Sequence, residues 1–202
     1  MHSHLYFRVM EYVADFTSVV PPVLIAGVVY LSVRRLWLKK EGRTRKSWGN
    51  EGARLLLVCW LAGLLSLVWT PANFWIKLQS WLGHGIPIEL GNWLFQGGFD
   101  FRVTIHHEIA GLLSGGSWQL AGNVLLYVPL GLLLPLVWKS GWQIPAVGLL
   151  LSLVTELGQP VVGRSFDVDD LIANTLGTLV GWLLFFLVRL AAPKWVAQCR
   201  GT

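Results

Sequence analysis

The stretch "TELGQPVVGRSFDVDDLIANTLGTLVG", Thr155 to Gly181, decides how this chain is read. It lies between two runs apolar enough to cross a membrane, yet it carries Glu156, Gln159, Arg164, Asp167, Asp169, Asp170 and Asn174. Insertion scales put a charged residue at the bilayer centre at roughly 2.5–3.5 kcal/mol unfavourable, and less toward the interface. Glu156 is therefore expected to face other helices rather than lipid, and intramembrane ionisable groups are functional candidates by default. Residues three or four apart share a helix face. Asp170, Asn174, Gly177 and Gly181 then form one stripe, and Glu156 shares a face with Gln159, with Ser152 one turn below. "GTLVG", Gly177 to Gly181, is a small-xxx-small seam at which a neighbouring helix approaches closely.

Composition sets the surroundings of this stretch. Charged residues make up 13% of the 202-residue chain, against about a quarter in a soluble domain. The hydrophobic fraction is 54% with twelve Trp, and the mean hydropathy is +0.56. Trp favours the headgroup interface, so the fold class expected is an all-α integral membrane protein. Crossing a bilayer takes about 20 mostly apolar residues in a helix. Five runs qualify, near Phe16–Trp37, Leu55–Thr70, Trp118–Trp138, Gly141–Val162 and Val168–Val188. They make one domain over residues 1–202: a helix pair with a basic loop in 1–72, an outer segment in 73–117, and core helices in 118–190.

The net charge of +5 is concentrated in "RRLWLKKEGRTRKSWGNEGAR", residues 34–54, which joins the first two spans. By the positive-inside rule this loop is cytoplasmic. The N-terminus is then outside, residues 73–117 and the Thr155–Gly181 turn face outward, and Arg189, Lys194 and Arg200 end the chain inside. Span one is not read as a cleavable signal peptide, because its positive charges follow the apolar run. No broad basic face with stacking aromatics exists, so a nucleic-acid partner is not expected. Cys59 and Cys199 form neither a disulfide framework nor a metal-ligand spacing. No metal or cofactor is expected.

In the outer segment, "FDFRVTIH" from Phe99 to His106 alternates with period two, and "IPIEL" from Ile86 to Leu90 does so weakly, which allows a short β-hairpin. "FWIKLQSWL", Phe74 to Leu82, has helical apolar spacing suited to the interface plane. Across the core spans the depths of Asn123, Glu156, Gln159, Asp170 and Asn174 coincide at the outer end of the bundle, at about 1.5 Å of rise per residue. Plainer roles stand beside a functional one. Asp167, Asp169 and Asp170 suit a helix N-terminus. Asn123 and Asn174 suit interhelical hydrogen bonds. Arg164 is placed to reach back to Glu156 or Asp167 as a structural pair. "HHE" at His106–Glu108 lacks the HExxH spacing that sets two His on one face. Ser152 and Thr155 have no His nearby to act as base.

"NVLLYVPLGLLLPL" from Asn123 and "SLVTELGQPVVGRSFDVDDLIANTLGTLVGW" from Ser152 resemble the VanZ-like family, with an echo at "SLVWTPANF" from Ser66. The positions that carry the resemblance are Asn123, Pro129, Gly131, Glu156, Gln159, Arg164, Asp167, Asp170, Asn174, Gly177 and Gly181. Where family members carry an Asn-Leu-Ile-Pro-Phe-like stretch, "RVTIHHEI" from Arg102 stands here. The resemblance implies a multi-pass bacterial cell-membrane protein of a family associated with resistance to teicoplanin-type glycopeptides.

Two functions follow. One is a binding protein in which Asn123, Glu156, Gln159, Arg164, Asp167, Asp170 and Asn174 hold a membrane lipid, envelope precursor or glycopeptide ligand in an outward polar pocket. The alternative is a membrane enzyme acting on a lipid-linked phosphate or peptidoglycan precursor through Glu156, Asp167 and Asp170. Binding ranks first because no activated nucleophile accompanies the carboxylates. The oligomeric state is not legible in the sequence.

Overall fold

The computed structural model describes residues 2–41, 48–70, 95–115, 118–138 and 141–200, with the side chains of the first helix described from residue 19 to 40. In chain order the elements are α1 (His2–Glu41), α2 (Trp48–Trp69), β1 (Phe99–Asp100), α3 (Ile105–Leu113), α4 (Gln119–Val137), α5 (Ile144–Gly158), a 3₁₀ turn (Gln159–Val162), β2 (Phe166–Asp167), α6 (Val168–Ala191) and α7 (Pro193–Arg200). Among the described residues, five segments are long and apolar enough to cross a membrane: Val19–Lys40, Trp48–Trp69, Gln119–Val137, Ile144–Val162 and Val168–Ala191. They agree with the five expected spans, and the chain is an all-α membrane protein with one very short strand pair among the described residues.

The boundaries differ at two helices. α1 continues far to the N-terminal side of Pro21 and Pro22, whereas the sequence places those prolines near the start of the span. α2 begins two turns before Leu55, and those added turns pack inside the fold through the buried Asn50 and Ala53. The amide of Asn50 donates to the Cys199 carbonyl on α7, which a reading by hydropathy alone does not register.

α4 and α6 are the centre of the bundle, and glycine determines their approach. A Cβ added at Gly177 would collide with the Val124 carbonyl, and one at Gly181 with the Val128 carbonyl. From the other side, a Cβ at Gly131 would strike the Thr178 carbonyl. The two helices therefore meet backbone to backbone, the close contact that small residues permit where lipid supplies no hydrophobic drive. Around this seam Leu64, Val68, Tyr127 and Leu130 form one buried cluster. Ala53, Leu136, Phe185, Val196 and Cys199 form another at the opposite end. Trp60 ties α2 to α4 by donating to the Leu126 carbonyl at 3.0 Å. α1 packs on the flank, where Arg34 pairs with Glu51 at 2.7 Å and lies over the Trp37 ring.

The ends of the elements follow from their termini. Asp167 caps α6 by accepting from the Asp169 amide at 2.8 Å, which satisfies one of the orphan donors of the first turn. Arg200 donates to the Pro135 carbonyl at 2.8 Å, serving the unpaired, negatively poled end of α4. The 3₁₀ turn ends at Gly163, whose φ of 81° is a left-handed conformation that glycine adopts without a Cβ penalty.

One half of the hairpin considered from sequence lies outside the described residues, and the half within them has another partner. Phe99 and Asp100 pair in parallel with Phe166 and Asp167, so the partner strand comes from the turn between α5 and α6. The period-two reading from Phe99 to His106 stops short, because Ile105 opens a helix in which the His107 amide donates to the Thr104 carbonyl. Ile86–Leu90 and the interfacial helix expected at Phe74–Leu82 lie outside the described residues.

Candidate functional site

The polar residues of the three core helices converge at the end of the bundle formed by the start of α4, the end of α5 and the start of α6. Asp170 receives the Asn123 amide, which joins α4 to α6. Gln119, one turn earlier on α4, also points its amide at the same carboxylate oxygen. Glu156 is buried at 1% exposure. Its Oε1 accepts from Gln159 Nε2 at 2.9 Å, and its Oε2 faces the Asp167 backbone N–H at 3.3 Å. Glu156 and Asp170 lie within electrostatic reach of each other.

A second polar layer lies deeper. Asn174 Nδ2 donates to Ser152 Oγ at 3.1 Å. Thr155 donates to the Ser152 carbonyl, which leaves Tyr127 to donate its hydroxyl proton to Thr155 Oγ1 at 2.8 Å. Thr178 closes the column by donating to the Asn174 carbonyl. Burial makes each of these bonds consequential, since an unmade hydrogen bond there costs about 1–3 kcal/mol. Asn174 Oδ1 is buried and has no hydrogen-bond partner among the described residues.

Exposure across the site is graded. Asn123, Arg164, Asp167 and Asp170 are half-buried at the rim, while Glu156, Gln159 and Asn174 are buried beneath them. The sequence suggests one open hollow; the structure has a half-open rim over a packed polar floor. The reason is that the floor groups, apart from Asn174 Oδ1, satisfy each other. Arg164 lies within electrostatic reach of Glu156, but among the described residues no hydrogen bond or ion pair joins its guanidinium to Glu156 or Asp167. The structural pair considered from sequence does not form, because the Asp167 backbone and Gln159 already occupy the Glu156 oxygens.

A strap covers one side of the rim. Phe95 and Gly97 donate to the Val161 and Pro160 carbonyls, and Phe166 donates back to Gly98. Gly97 is required here, because a Cβ would run into the Arg164 carbonyl. The strap is then latched by Thr104, whose backbone N–H and hydroxyl both donate to Asp169 Oδ2, at 2.8 and 2.7 Å. Asp169 is therefore a latch as well as a first-turn anion. The sequence offers for it only the signal of an acid at a helix start. Phe99, Phe101 and Phe166 cluster with ring centroids 5.4–6.1 Å apart.

Charge at the rim is unevenly matched. Arg102 hydrogen-bonds Asp100 and holds its carboxyl down to about 2, so these exposed groups neutralise one another. The Asp167 carboxyl is pushed up, first by burial and then by the neighbouring Asp169, Asp100 and Glu108 charges. Among the described residues, no group of three His, Cys, Asp or Glu side chains is arranged to hold a metal ion. Ser152 and Thr155 bond to Asn174, Tyr127 and backbone rather than to an imidazole, and His106 and His107 are exposed on α3.

A bundle of five apolar helices with an intramembrane polar cluster at one end defines a multi-pass membrane protein. A family model described as VanZ/LLP1 matches residues 54–189, which takes in α4, α5, nearly all of α6, the strap and every candidate site residue. The chain belongs to the VanZ/LLP1 family. No curated protein and no solved structure matches it.

Proposed function

We propose that this protein is a binding protein of the bacterial cell envelope. Its polar end faces outward and takes a headgroup, an envelope precursor or a lipoglycopeptide. By family resemblance, that role is linked to tolerance of teicoplanin-type glycopeptides. The observation that carries the reading is the convergence of Asn123, Asp170, Glu156 and Gln159 from three helices near Arg164, whose guanidinium has no hydrogen-bonded anion among the described residues. A structural bundle needs its polar groups paired; it does not need a partly buried cation left without a hydrogen-bonded anion. Amides that orient and a guanidinium that takes a carboxylate or phosphate suit recognition. The serine and threonine hydroxyls are committed to neighbours other than a base, which ranks binding above turnover of a lipid-linked phosphate by Glu156, Asp167 and Asp170.

Native mass spectrometry of the purified full-length protein tests this. A co-purifying lipid or precursor is expected with the native protein and lost with Arg164→Ala. Asp170→Ala is expected to lower teicoplanin tolerance in a host that depends on the protein, at unchanged protein level. Retention of the same molecules by both variants removes the reading. Steady turnover of a lipid-phosphate substrate, abolished by Glu156→Gln, replaces it with the enzyme.

A further inference from the structure

The first helix pair carries a groove of its own, and that groove leads to the basic end of the bundle. α1 meets α2 at Gly27, where a Cβ would lie 3.3 Å from Cys59 Sγ, and at the Arg34–Glu51 pair. The Tyr30 hydroxyl also donates to Glu51. Beside this contact runs an apolar groove of about 450 Å³, lined by Ala26, Val29, Val33 and Trp37 on α1 and Val58 on α2, with Tyr30 and Arg34 on the side that meets α2. Positions seven apart on a helix drift by only about 20°. Ala26, Val33 and Lys40 have that spacing, with Val29 and Leu36 between them, so the groove wall continues as one stripe to Lys40. Val29, Val33 and Leu36 are each more than half exposed, so no described residue covers the stripe.

The charge at this mouth is positive. Lys40 is exposed one turn beyond Trp37 and has no hydrogen bond or ion pair among the described residues. Arg34 and Arg54 both lie within electrostatic reach of Glu51. The sequence from Arg34 to Lys46 adds Arg35, Lys39, Lys40, Arg43, Arg45 and Lys46 against Glu41. Inside a bilayer, an acyl chain and a second copy of the helix compete for an exposed apolar stripe. Copies inserted in the same orientation are related by an axis along the membrane normal, so α1 would meet its twin in register. That sets Lys40 against Lys40, and like charges so placed repel. An acyl chain instead brings an anion with it when its head is a phosphate without a compensating ammonium.

We propose that the groove between α1 and α2 is a site for an anionic phospholipid of the leaflet at the basic end. One acyl chain lies along Ala26, Val29, Val33 and Val58. Trp37 stands at the interfacial level that its amphipathic ring favours, and the phosphate accepts from Lys40 Nζ in a charge-assisted hydrogen bond. The site is separate from the polar cluster and does not depend on the role proposed for it.

The full-length protein is exchanged into nanodiscs holding equal amounts of phosphatidylglycerol and phosphatidylcholine with the same acyl chains, and retained lipid is counted by native mass spectrometry. Retention of the glycerol lipid over the choline lipid by about tenfold is expected, and Lys40→Gln is expected to lower it about fivefold, the share of one basic side chain at a lipid surface. Lys39→Gln, at the same depth but off the stripe, leaves retention unchanged. Val33→Trp fills the groove from a wall that no described residue packs against, and lowers retention with the unfolding midpoint in place. Equal retention of the two lipids by the native protein overturns the site, a result that does not depend on any variant folding. Equal losses with Lys39→Gln and Lys40→Gln mark a diffuse basic field and overturn it as well, as does full retention by Val33→Trp. A lipid lost with Arg164→Ala and kept with Lys40→Gln belongs to the polar end, which leaves the binding role standing and removes this groove. A dimer that falls to a monomer with Val33→Trp gives the groove to a second copy and overturns the lipid.

Discussion

At the scale of single residues, the site is governed by which carboxylates have hydrogen-bond partners. Asp167 does two jobs that a substitution separates: its oxygen caps α6, and its charge adds to an already acidic rim. Its folded pKa lies above the unfolded value. The stability it contributes is therefore fully present below the unfolded value and is lost as pH rises through the raised folded one. Asp167→Asn keeps a capping oxygen and removes the charge. It is expected to melt above the native protein at pH 7 and level with it near pH 3.5, whereas Asp167→Ala loses the cap and about 1 kcal/mol. Thermal unfolding in detergent across that pH range checks the sign. Asp169 differs, because its carboxylate is spent on Thr104. Hydrogen bonds to charged groups contribute about 1.5–3 kcal/mol, so Asp169→Ala is expected to speed amide exchange of residues 95–104 by about tenfold or more. Unchanged exchange in the strap means that the β1–β2 pairing alone holds it.

At the scale of elements, the α4–α6 seam is the contact with the least tolerance. Gly177→Ala forces a Cβ into the Val124 carbonyl, while Gly122→Ala on the same pair of helices meets open space. The first is expected to destabilise by about 1–3 kcal/mol as overpacking and the second to be neutral or better, read as unfolding midpoints. The seam was legible in the sequence because small residues at i and i+4 leave a periodic trace. The Asp170–Asn174 stripe and the Glu156–Gln159 pair were legible for the same reason. The strap was not. Its pairing joins residues some 67 positions apart, and a two-residue strand carries too short a pattern to separate from the start of α3. The Tyr127–Thr155 bond was hidden differently, since hydroxyls on an apolar helix do not reveal which neighbour they face.

At the scale of the whole molecule, the two ends are chemically opposite. Among the described residues, Asp100, Glu108, Glu156, Asp167, Asp169 and Asp170 outnumber Arg102 and Arg164 at one end, and Arg34, Arg35, Lys39, Lys40, Arg54, Arg189, Lys194 and Arg200 outnumber Glu51 at the other. That asymmetry follows the distribution that sets topology in bacterial membranes. A C-terminal reporter active only in the cytoplasm is expected to be active. A cysteine placed at exposed Ser165 is expected to react in whole cells with a reagent that cannot cross the membrane. The reverse pattern inverts the bundle and withdraws the outward role. Hydropathy alone carries the five spans, so they were the most readable from sequence.

The backbone contact of α4 with α6 has a consequence for electrical tightness. Among the described residues, the hydrogen-bonded polar column on α6 ends at Thr178. Below it, among the described residues, lie the glycine seam and the buried Leu136, Phe185 and Val196. A membrane crowded with this bundle is therefore expected to keep its ion gradients.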